Sequence, residues 1–505
     1  MSTRAKIGLI LLIALATALR VGGVFANTFH ADEALFATWA RQIAVWRDPI
    51  LASQVVDKPP LLFYLQALFY ALAGPTEWAA RLPNFIASIL LVPLTGMLSW
   101  RLFWNGKVAV IAAAIIALSP LLVQFSATAY TDPLLTTLIV LSIYIATGVL
   151  NSGANAAVAP AKHRQRWALV SGMVFGLSVA TKYQAILILP FMVGLVYLFG
   201  WRRSLWLRWL VGASTVIVIL TFWEILRTGS PEIWGVQISS YGGLRVAWSW
   251  ELWPRIQSWT GQWRFLMGSP MLAISILLLT IPFLVITTFI NDEHSSIDQY
   301  LAIYVIGYFI VHWLIAIPIW DRYLLVIAPY FSILAARIIW RIYIYVKLAR
   351  RSGVGNRSYS YYLLGLIPII LLAAQLPDIS SSYQGELPIG GRPDADGGIA
   401  EMSILLREQP PGTVLYDHWY SWQWRYHLFD SNVYISWFPD PQSLADDLQV
   451  FGPNGDARFV ALPKSPEALP VFRAVKSAGY DLEPALGTSD LSERRSIELY
   501  RIVTQ

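Results

Sequence analysis

The sequence contains no cysteine among its 505 residues and few charged side chains. The absence of cysteine excludes disulfides, thiol catalysis and cysteine-ligated metal sites, and it leaves the redox compartment undetermined. Charged residues make up 13% of the chain against 56% hydrophobic ones, which is outside the composition of soluble globular proteins. The sequence shows no internal repeat, which argues against a transporter built from repeated halves. The chain is therefore predicted to be a polytopic membrane protein.

Apolar runs dominate the sequence, and eleven of them reach the roughly 20 residues that a membrane span needs. They lie near residues 7–26, 79–100, 108–127, 132–150, 167–181, 183–200, 209–226, 266–290, 299–318, 322–343 and 360–376. Basic residues cluster in alternate loops between these runs, so the positive-inside bias explains the net charge of +6 without a nucleic-acid partner. The same bias predicts a multi-pass cell-membrane protein with a cytoplasmic N-terminus.

The run from Leu61 to Gly74 decides this topology. It is too short for a comfortable span, and counting it as one would turn the basic clusters outward. We therefore expect it to lie on the outer membrane surface together with the loop from Phe29 to Pro60. The first run resembles a signal peptide, but Arg20 stands where a small-residue cleavage site should follow, so an uncleaved span is predicted. The acidic inner loop from Asn291 to Asp298 is the exception to the pattern.

Two further stretches have a composition of their own. The outer loop from Arg227 to Arg264 contains six tryptophans with arginines between them, which indicates a helix at the level of the lipid headgroups or a direct role in holding a lipid-linked ligand. After a transmembrane domain at 1–376, a linker or covering loop rich in Gly, Pro and Ser spans 377–410. Strand and helix patterns alternate over 411–505 without a glycine-rich phosphate loop, which predicts a small extracytoplasmic α/β domain with a mainly parallel sheet.

The loop from Phe29 to Pro60 begins with adjacent carboxylates. Asp32 and Glu33 start a predicted amphipathic helix, whose Leu35, Trp39, Ile43 and Trp46 fall on one face at helical spacing, so the helix is expected to lie on the membrane. A carboxylate held at the mouth of the bundle is a candidate general base. The alternative is that acidic residues in a first helical turn only complement the helix dipole.

Further ionisable residues are predicted at the same membrane face. They are Asp57, Lys58, Asp132, Lys182 and Arg322. Charges placed against hydrocarbon are costly and usually mark function, and lysine and arginine commonly bind phosphate. Taken singly, each has a structural explanation, since Lys182 and Arg322 can extend to the interface and Asp132 can cap a span. Taken together, they indicate group transfer from a lipid phosphate, with Asp32 taking a proton from the acceptor.

Six motifs in order give these residues a family resemblance. They are HADEALFATWARQ, DKPPLLFYLQALFYALAG, EWAARLPN, AYTDPLLTTL, ATKYQAILILP and DRYLLVIAPY. Their succession, over roughly residues 5 to 345, resembles the integral-membrane glycosyltransferases of the GT-C fold. It is most similar to the dolichyl-phosphate-mannose protein mannosyltransferases and the bacterial aminoarabinose transferases that modify lipid A.

The resemblance implies roles for particular residues. Asp32 matches the aspartate to which these enzymes assign acceptor activation, and Glu33 follows it as in the mannosyltransferase pair. Asp132 matches the acidic residue of the second outer loop, which pairs with a site lysine or the acceptor. Asp32, Glu33 and Asp132 are therefore the predicted catalytic residues. The positions associated with the donor phosphate are Lys58, Lys182, Arg322 and Tyr323. The positions expected to support the site are Asp57, Arg81 and His30. For Arg81, in the Arg-Leu-Pro signature, a structural role is favoured.

The predicted fold is therefore a mainly α membrane helix bundle of about eleven spans, and the predicted function is inverting sugar transfer on the outer membrane face. The donor is a polyprenyl-phosphate sugar, and the acceptor is a protein, lipid or glycan. No cofactor is assigned; a divalent metal near the first loop, with His30 and Asp57 as ligands, stays open. The alternative is a polyprenyl-phosphate carrier or flippase, which should place ionisable residues deep within spans. Glu224 and His312 come nearest to that.

Overall fold

The computed structural model describes residues 1–149, 161–230, 245–289, 294–351, 373, 375–485 and 495–505. Most of the predicted span at 360–376 lies outside these ranges. The helices before the C-terminal domain are α1 Thr3–Ala26, α2 Ala31–Ala44, α3 Leu61–Ala73, α4 Glu77–Phe103, α5 Gly106–Leu118, α6 Pro120–Phe125, α7 Asp132–Gly148, α8 Ala161–Val179, α9 Leu189–Leu198, α10 Arg203–Thr228, α11 Ser249–Met267, α12 Pro270–Phe289, α13 Ser295–Leu314 and α14 Leu324–Arg351. Short 3₁₀ turns at Tyr183–Ile188 and Asp321–Tyr323 precede α9 and α14, and residues 375–384 are helical.

The helices have the length and composition of a multi-pass membrane protein. Among the described residues, six segments are long and apolar enough to cross a bilayer: α1, α4, α10, most of α12, α13 and 321–345. Shorter apolar helices accompany them, namely α3, α5, α7 and 183–198. The chain is thus a multi-pass membrane protein, while the count of eleven spans stays a prediction.

The predicted span at 108–127 is broken before Pro120, and Arg20 bonds to the carbonyls at the break. Pro120 has no N–H to offer the carbonyl of Ile116, so the helix ends at Leu118 and restarts as α6. The buried guanidinium of Arg20 donates instead to Ile116 O and Ala117 O, both at 3.0 Å, and to Ser88 Oγ at 3.1 Å. An arginine inside an apolar helix is therefore stabilised by the carbonyls that the proline leaves unpaired.

The bundle has two chemically distinct ends. Lys107 Nζ lies 4.9 Å from the centre of the Trp340 ring at one end, close to the start of α1. Helix α3 belongs wholly to the other end. Its Leu61 N donates to Ala180 O at 3.0 Å, and its Tyr70 hydroxyl lies 3.5 Å from that of Tyr426 in the C-terminal domain. Helix α3 therefore runs along this end instead of traversing the bundle.

Helix α2 packs between α3 and the C-terminal domain. The rings of Trp39 and Phe63 meet edge to face at 4.9 Å, and Ile43 is buried as well. On the opposite side Arg41 donates to Tyr426 O at 2.7 Å. The prediction that the apolar face of α2 lies on the membrane is thus wrong for Trp39 and Ile43, because α3 covers that face. Trp46, just beyond the helix, is 81% exposed.

The C-terminal domain contains a five-stranded sheet covered by short helices. The strands are β1 Val414–Asp417, β2 Tyr434–Trp437, β3 Arg458–Pro463, β4 Tyr480–Pro484 and β5 Ile497–Thr504, in the order β2-β1-β3-β5-β4. The helices are α15 Ile399–Arg407, α16 Ser421–His427, α17 Pro441–Phe451 and α18 Leu469–Ser477. β1 pairs in parallel with β2 and β3, whereas β5 pairs antiparallel with β3 and β4.

Two predictions about this domain need correction. The sheet is mixed and not mainly parallel, because β5 runs antiparallel between β3 and β4, a short and largely polar edge strand that was not predicted. The predicted linker also contains α15, whose Ile399, Met402 and Leu406 are buried in one core with Leu415 of β1. By packing, the domain begins near 399 and not at 411.

Asp298, which belongs to the acidic inner loop that departs from the charge pattern, is neutralised inside the protein. Asp298 is fully buried at the start of α13 and forms ion pairs with Arg337 and Arg341 of α14. A buried carboxylate with two guanidinium partners does not act as a free acidic loop charge. These ion pairs account for one acidic residue of the loop, while Asp292 and Glu293 lie outside the described residues.

The arginines of the tryptophan-rich loop also have protein partners. Arg255 donates to His312 O at 2.6 Å and to Trp313 O at 2.9 Å, which caps the end of α13. Arg245 pairs with Glu251 of the same loop, and Arg264 pairs with Asp378. Trp248, Trp250 and Trp253 are exposed, as headgroup-level tryptophans are. These contacts favour the structural interpretation of the arginines and exposed tryptophans over a direct role in holding a lipid-linked ligand.

Candidate active site

Asp32 lies at the start of α2 and faces Arg322, in the 3₁₀ turn that precedes α14. Its Oδ2 lies 3.0 Å from Arg322 Nη2, and the Asp32 side chain is 39% exposed. His30 caps the helix, since its Nδ1 accepts from Asp32 N at 3.3 Å. Burial lowers the pKa of His30, and the nearby Arg322 lowers it further against the opposing charge of Asp32. The imidazole is therefore neutral near pH 7.

Glu33 points away from Asp32 and into the protein. It is fully buried, and its carboxylate accepts from His30 N at 3.1 Å and from Ala129 N at 2.6 Å. Burial raises the pKa of Glu33 to about 7, although Arg81 and both hydrogen bonds oppose this shift. A carboxylate enclosed in this way has no access to a substrate. Glu33 thus ties α2 to the loop before α7, and its predicted catalytic role is not supported by its position.

A second ion pair is buried beside the first. Lys182 Nζ lies 2.7 Å from Asp132 Oδ1 and 4.8 Å from the centre of the Tyr323 ring. Burial lowers the pKa of Lys182 to about 8, Asp132 opposes this, and the charges of Arg322 and Lys58 lower it further. The three cations predicted to bind the donor phosphate therefore lie close enough to repel one another.

The corner that carries Lys58 is held by the end of α10. Lys58 pairs with Asp57, and its side chain is 14% exposed. Arg227 donates to Gln54 O at 3.0 Å and to Val56 O at 3.4 Å while it pairs with the buried Glu224 at 2.9 Å. Glu224 lies in the penultimate turn of α10, at the end of the bundle that holds the site, and so it is not a charge deep within a span.

Arg81 and its neighbours hold the surrounding loops in place. Arg81 is buried, donates to Val24 O at 3.2 Å, pairs with Glu77 at 2.9 Å and lies over the Phe29 ring. Three residues along, Asn84 donates to Tyr130 O at 2.6 Å. These contacts join the end of α1, the start of α4 and the loop before α7. They fit the structural role that was favoured for Arg81.

Arg322 has neighbours that the sequence did not single out. Its guanidinium lies 4.8 Å from the centre of the Tyr130 ring and 5.1 Å from that of Trp320. Asp321 accepts from Arg322 N at 2.7 Å and from Gly390 N at 3.1 Å. Asp321 was visible as part of the DRY motif, whereas nothing in the sequence of the covering loop linked Gly390 to the site.

The covering segment 388–395 forms one wall of a cavity beside Arg322. The cavity measures about 680 Å³ and is also lined by His30, Tyr130 and Trp320. Close approach of the segment to α6 requires glycine, because a Cβ at Gly390 would lie 2.9 Å from the rings of Phe125 and Tyr130. The cavity gives access to the Asp32 and Arg322 pair from outside the bundle.

Metal binding finds no support in the side chains around this site. Over the described residues, no group of three or more His, Asp or Glu side chains is placed to hold a metal ion. His30 caps α2 beside Asp32, whereas Asp57 pairs with Lys58. The two residues considered as ligands therefore have different partners, and no step of the chemistry is assigned to a metal.

Comparison with known proteins supports the family resemblance. Residues 57–225 match the family model described as dolichyl-phosphate-mannose-protein mannosyltransferase. The putative mannosyltransferase YycA of Bacillus subtilis is 28% identical over 186 residues, which cover 37% of this chain. The matched stretch spans only 24% of the length of that relative.

The structure of ArnT from Cupriavidus metallidurans bound to undecaprenyl phosphate matches with a TM-score of 0.67 at 15% identity, over 99% of this chain and 98% of that one. The chain has the GT-C fold. The oligosaccharyltransferase AglB of Archaeoglobus fulgidus, in complex with an inhibitory peptide and a dolichol-phosphate, matches this GT-C protein with a TM-score of 0.56 at 13% identity, over 96% of this chain and 74% of that one. The predicted GT-C fold is therefore confirmed.

Proposed function

We propose that this GT-C protein transfers a sugar from a polyprenyl-phosphate-linked donor to an acceptor hydroxyl or amine. The observation that carries the proposal is the ionic array at one end of the bundle. It joins the Asp32–Arg322 pair to the buried Asp132–Lys182 pair, with Lys58 nearby. Polyprenyl-type phosphates are bound in the structures of ArnT and AglB, which supports the same class of donor here.

The cations of the array suit the departing phosphate. A phosphodiester donor carries one negative charge, and the polyprenyl phosphate that leaves carries about −1.5 to −2 at neutral pH. Lys58, Lys182 and Arg322 would stabilise that increase in negative charge. Asp57 and Asp132 hold two of these cations in place, and Tyr323 packs under Lys182.

Asp32 serves as the base in this mechanism. When the donor phosphate binds Arg322, the Asp32 carboxylate is released from its ion pair and becomes free to accept a proton. The acceptor oxygen or nitrogen attacks the anomeric carbon, the bond from that carbon to the phosphate oxygen breaks, and the electron pair leaves with the phosphate. The acceptor proton moves to Asp32. Attack opposite the leaving group inverts the anomeric centre.

The location of the site follows from the charge distribution. The basic loops of the bundle favour a cytoplasmic N-terminus under the positive-inside rule. The site and the C-terminal domain lie at the end of the bundle opposite the start of α1. We therefore place sugar transfer on the extracytoplasmic face of the cell membrane, with the C-terminal domain outside.

The two ionisable side chains that come nearest to a carrier pattern, Glu224 and His312, do not favour the alternative of a lipid carrier. Glu224 is paired with Arg227 near the end of α10. His312 lies in the last turn of α13, where its Nδ1 is hydrogen-bonded to Tyr308 O at 2.9 Å. Both residues have local structural partners near helix ends. Neither forms a relay through the middle of a span.

The experiment that tests the proposed function uses the purified protein in lipid nanodiscs with radiolabelled polyprenyl-phosphate sugars and mixed acceptors. We expect labelled acceptor with the wild type, and for Asp32→Asn a loss of kcat of about 10²- to 10⁴-fold with donor binding retained. Asp446→Asn, an exposed carboxylate on α17, is the matched control and should keep full activity. Unchanged turnover in Asp32→Asn would exclude Asp32 as the base, and transbilayer movement of the lipid without labelled acceptor would favour a carrier.

A further inference from the structure

The cavity beside Arg322 approaches the ionic array from one side. Arg322 and His30 line it, and both contact Asp32, so the cavity leads to the proposed base. Lys58 and Lys182 are not among the described residues that line it. Arg322 thus stands between this cavity and the lysines of the proposed donor-phosphate site. A molecule in the cavity would meet Asp32 from the acceptor side.

Both arginines of the cavity are already paired with carboxylates. Its two arginines are Arg322, which is paired with Asp32, and Arg392, which is paired with Asp394 at 2.7 Å. Asp321 adds a further carboxylate to the lining. A phosphate-bearing acceptor would find no unpaired cation here and would face carboxylates of its own sign, which disfavours binding. The cavity is therefore suited to a neutral molecule.

The backbone of the covering segment is already hydrogen-bonded on both sides. Gln124 donates to Leu387 O at 3.0 Å and to Ile389 O at 3.3 Å, and Thr28 N donates to Arg392 O at 3.1 Å. Gly390 N donates to Asp321. The prolines at 388 and 393 have no N–H. These bonds and the prolines disfavour the addition of an acceptor peptide to this segment as an extra strand, which is a common way for proteins to bind extended peptides.

The side chains that line the cavity are therefore the groups available to recognise an acceptor. The Trp320 indole is 46% exposed, and the Arg392 and Asp394 side chains are about half exposed. Gln262 of α11 lines the same cavity, and its buried Oε1 has no hydrogen-bond partner within the described part of the chain. An indole face with amide, guanidinium and carboxylate groups around it suits a ring with an apolar face and a rim of hydroxyls.

We propose that the acceptor is a neutral saccharide, free or on a lipid headgroup, and that it binds in this cavity with its sugar ring against Trp320. This inference rests on the proposed function, because it names the acceptor of the same reaction. The accepting hydroxyl would reach Asp32 past Arg322. Gln262, Arg392 and Asp394 would bind the remaining hydroxyls.

The test offers three acceptors to the protein in nanodiscs with a labelled polyprenyl-phosphate sugar. They are a glycolipid with a neutral disaccharide headgroup, the same glycolipid phosphorylated on the headgroup, and a peptide rich in serine and threonine. We expect label in the neutral glycolipid and at least tenfold less in the other two, which is a difference of about 1.4 kcal/mol in transition-state binding. Preferential labelling of the phosphorylated lipid or the peptide would overturn this inference and leave the proposed function intact. No label in any acceptor would overturn both.

A pair of tryptophan variants tests the location. Trp320→Ala should raise the KM for the neutral glycolipid about tenfold, or about 1.4 kcal/mol, because the variant loses the aromatic face against which the sugar ring packs. Trp437→Ala removes a similarly exposed indole from β2, outside the cavity, and should leave KM unchanged. Equal KM values in the two variants would show that the acceptor binds elsewhere.

Discussion

Lys182 Nζ lies 2.7 Å from Asp132 Oδ1, and neither side chain is more than 7% exposed. The lysine follows α8 and the aspartate begins α7, so the pair joins two turns at the same end of the bundle. Desolvation makes a buried ion pair an expensive way to stabilise a fold, and an apolar pair of similar size often does as well. The pair is therefore better explained by the phosphate that Lys182 is proposed to bind.

Single and double substitutions of this pair should separate stability from activity. Lys182→Met leaves the Asp132 carboxylate buried without its cation, and we expect a loss of about 3 to 5 kcal/mol in the free energy of unfolding. Lys182→Met/Asp132→Leu should recover most of that stability but no sugar transfer. Thermal unfolding in one detergent and transfer of labelled sugar are the two measurements. Arg245→Ala, which breaks an exposed pair, should change neither. Sugar transfer by the double variant would contradict a role of Lys182 in donor binding.

The pH dependence of stability should carry the signature of Glu33. Its pKa is raised from 4.5 to about 7 in the folded protein, so the folded state holds a proton that the unfolded state has released. Its contribution to stability is therefore fully present below about pH 4.5 and is lost as the pH rises through 7. Over that window, the contribution is on the order of 3 kcal/mol.

Glu33→Gln removes this titration. We expect unfolding measured between pH 4.5 and 8 to show a shallower fall in stability for Glu33→Gln than for the wild type. Glu408→Gln, an exposed carboxamide substitution on the C-terminal domain, should follow the wild-type curve. If Glu33→Gln had the same pH profile as the wild type, Glu33 would not be protonated in the folded protein near neutral pH.

The glycines of the covering segment should be sensitive to a single methyl group. A Cβ at Gly391 would lie 2.7 Å from Gln124 O, and its φ of +85° disfavours any other residue. We expect Gly391→Ala to cost about 1 to 3 kcal/mol in stability and to raise the acceptor KM, because the cavity wall shifts. Gly307→Ala on α13 adds a methyl group in open space and should do neither. Normal stability and KM in Gly391→Ala would mean that the segment is not packed as described.

Arg41 should attach the C-terminal domain to the bundle. It donates to Tyr426 O at 2.7 Å, pairs with Asp430 and lies 4.3 Å from the centre of the Phe429 ring. Arg41→Lys keeps the charge but loses the planar fork, and we expect a loss of about 1 to 3 kcal/mol in unfolding free energy. Arg47 lies over the same ring from the exposed side, so Arg47→Lys is the matched control and should have little effect. Equal stability of the two variants would contradict the attachment.

The motifs of the sequence predicted the membrane bundle and the residues that come together in the ionic array. Asp32, Asp132, Lys182 and Arg322 lie within two ion pairs at one end of the bundle, although they are distant in the chain. The charges of the loops allowed this prediction, because they indicate on which side of the membrane each loop lies and therefore which loops share a face.

Other features depended on tertiary packing that spacing does not encode. Glu33 is adjacent to Asp32 and chemically equivalent to it, yet its orientation inward is set by Ala129, far along the chain. The apolar face of α2 indicated that its side chains are shielded from water. It did not indicate that α3, and not lipid, covers Trp39. The contribution of Gly390 to the site arises from contacts across the fold, and a glycine pair in a linker gives no local sign of it.

The docking of the covering segment has a consequence for the timing of biosynthesis. The segment follows α14 in the chain, so it is made after every residue of the ionic array. Asp321 gains its contact with Gly390, and the cavity its wall, only when this late segment reaches the loop at Thr28. A nascent chain that stops after α14 would therefore still lack the wall of the proposed acceptor site, so transfer requires the covering segment to be made and docked first.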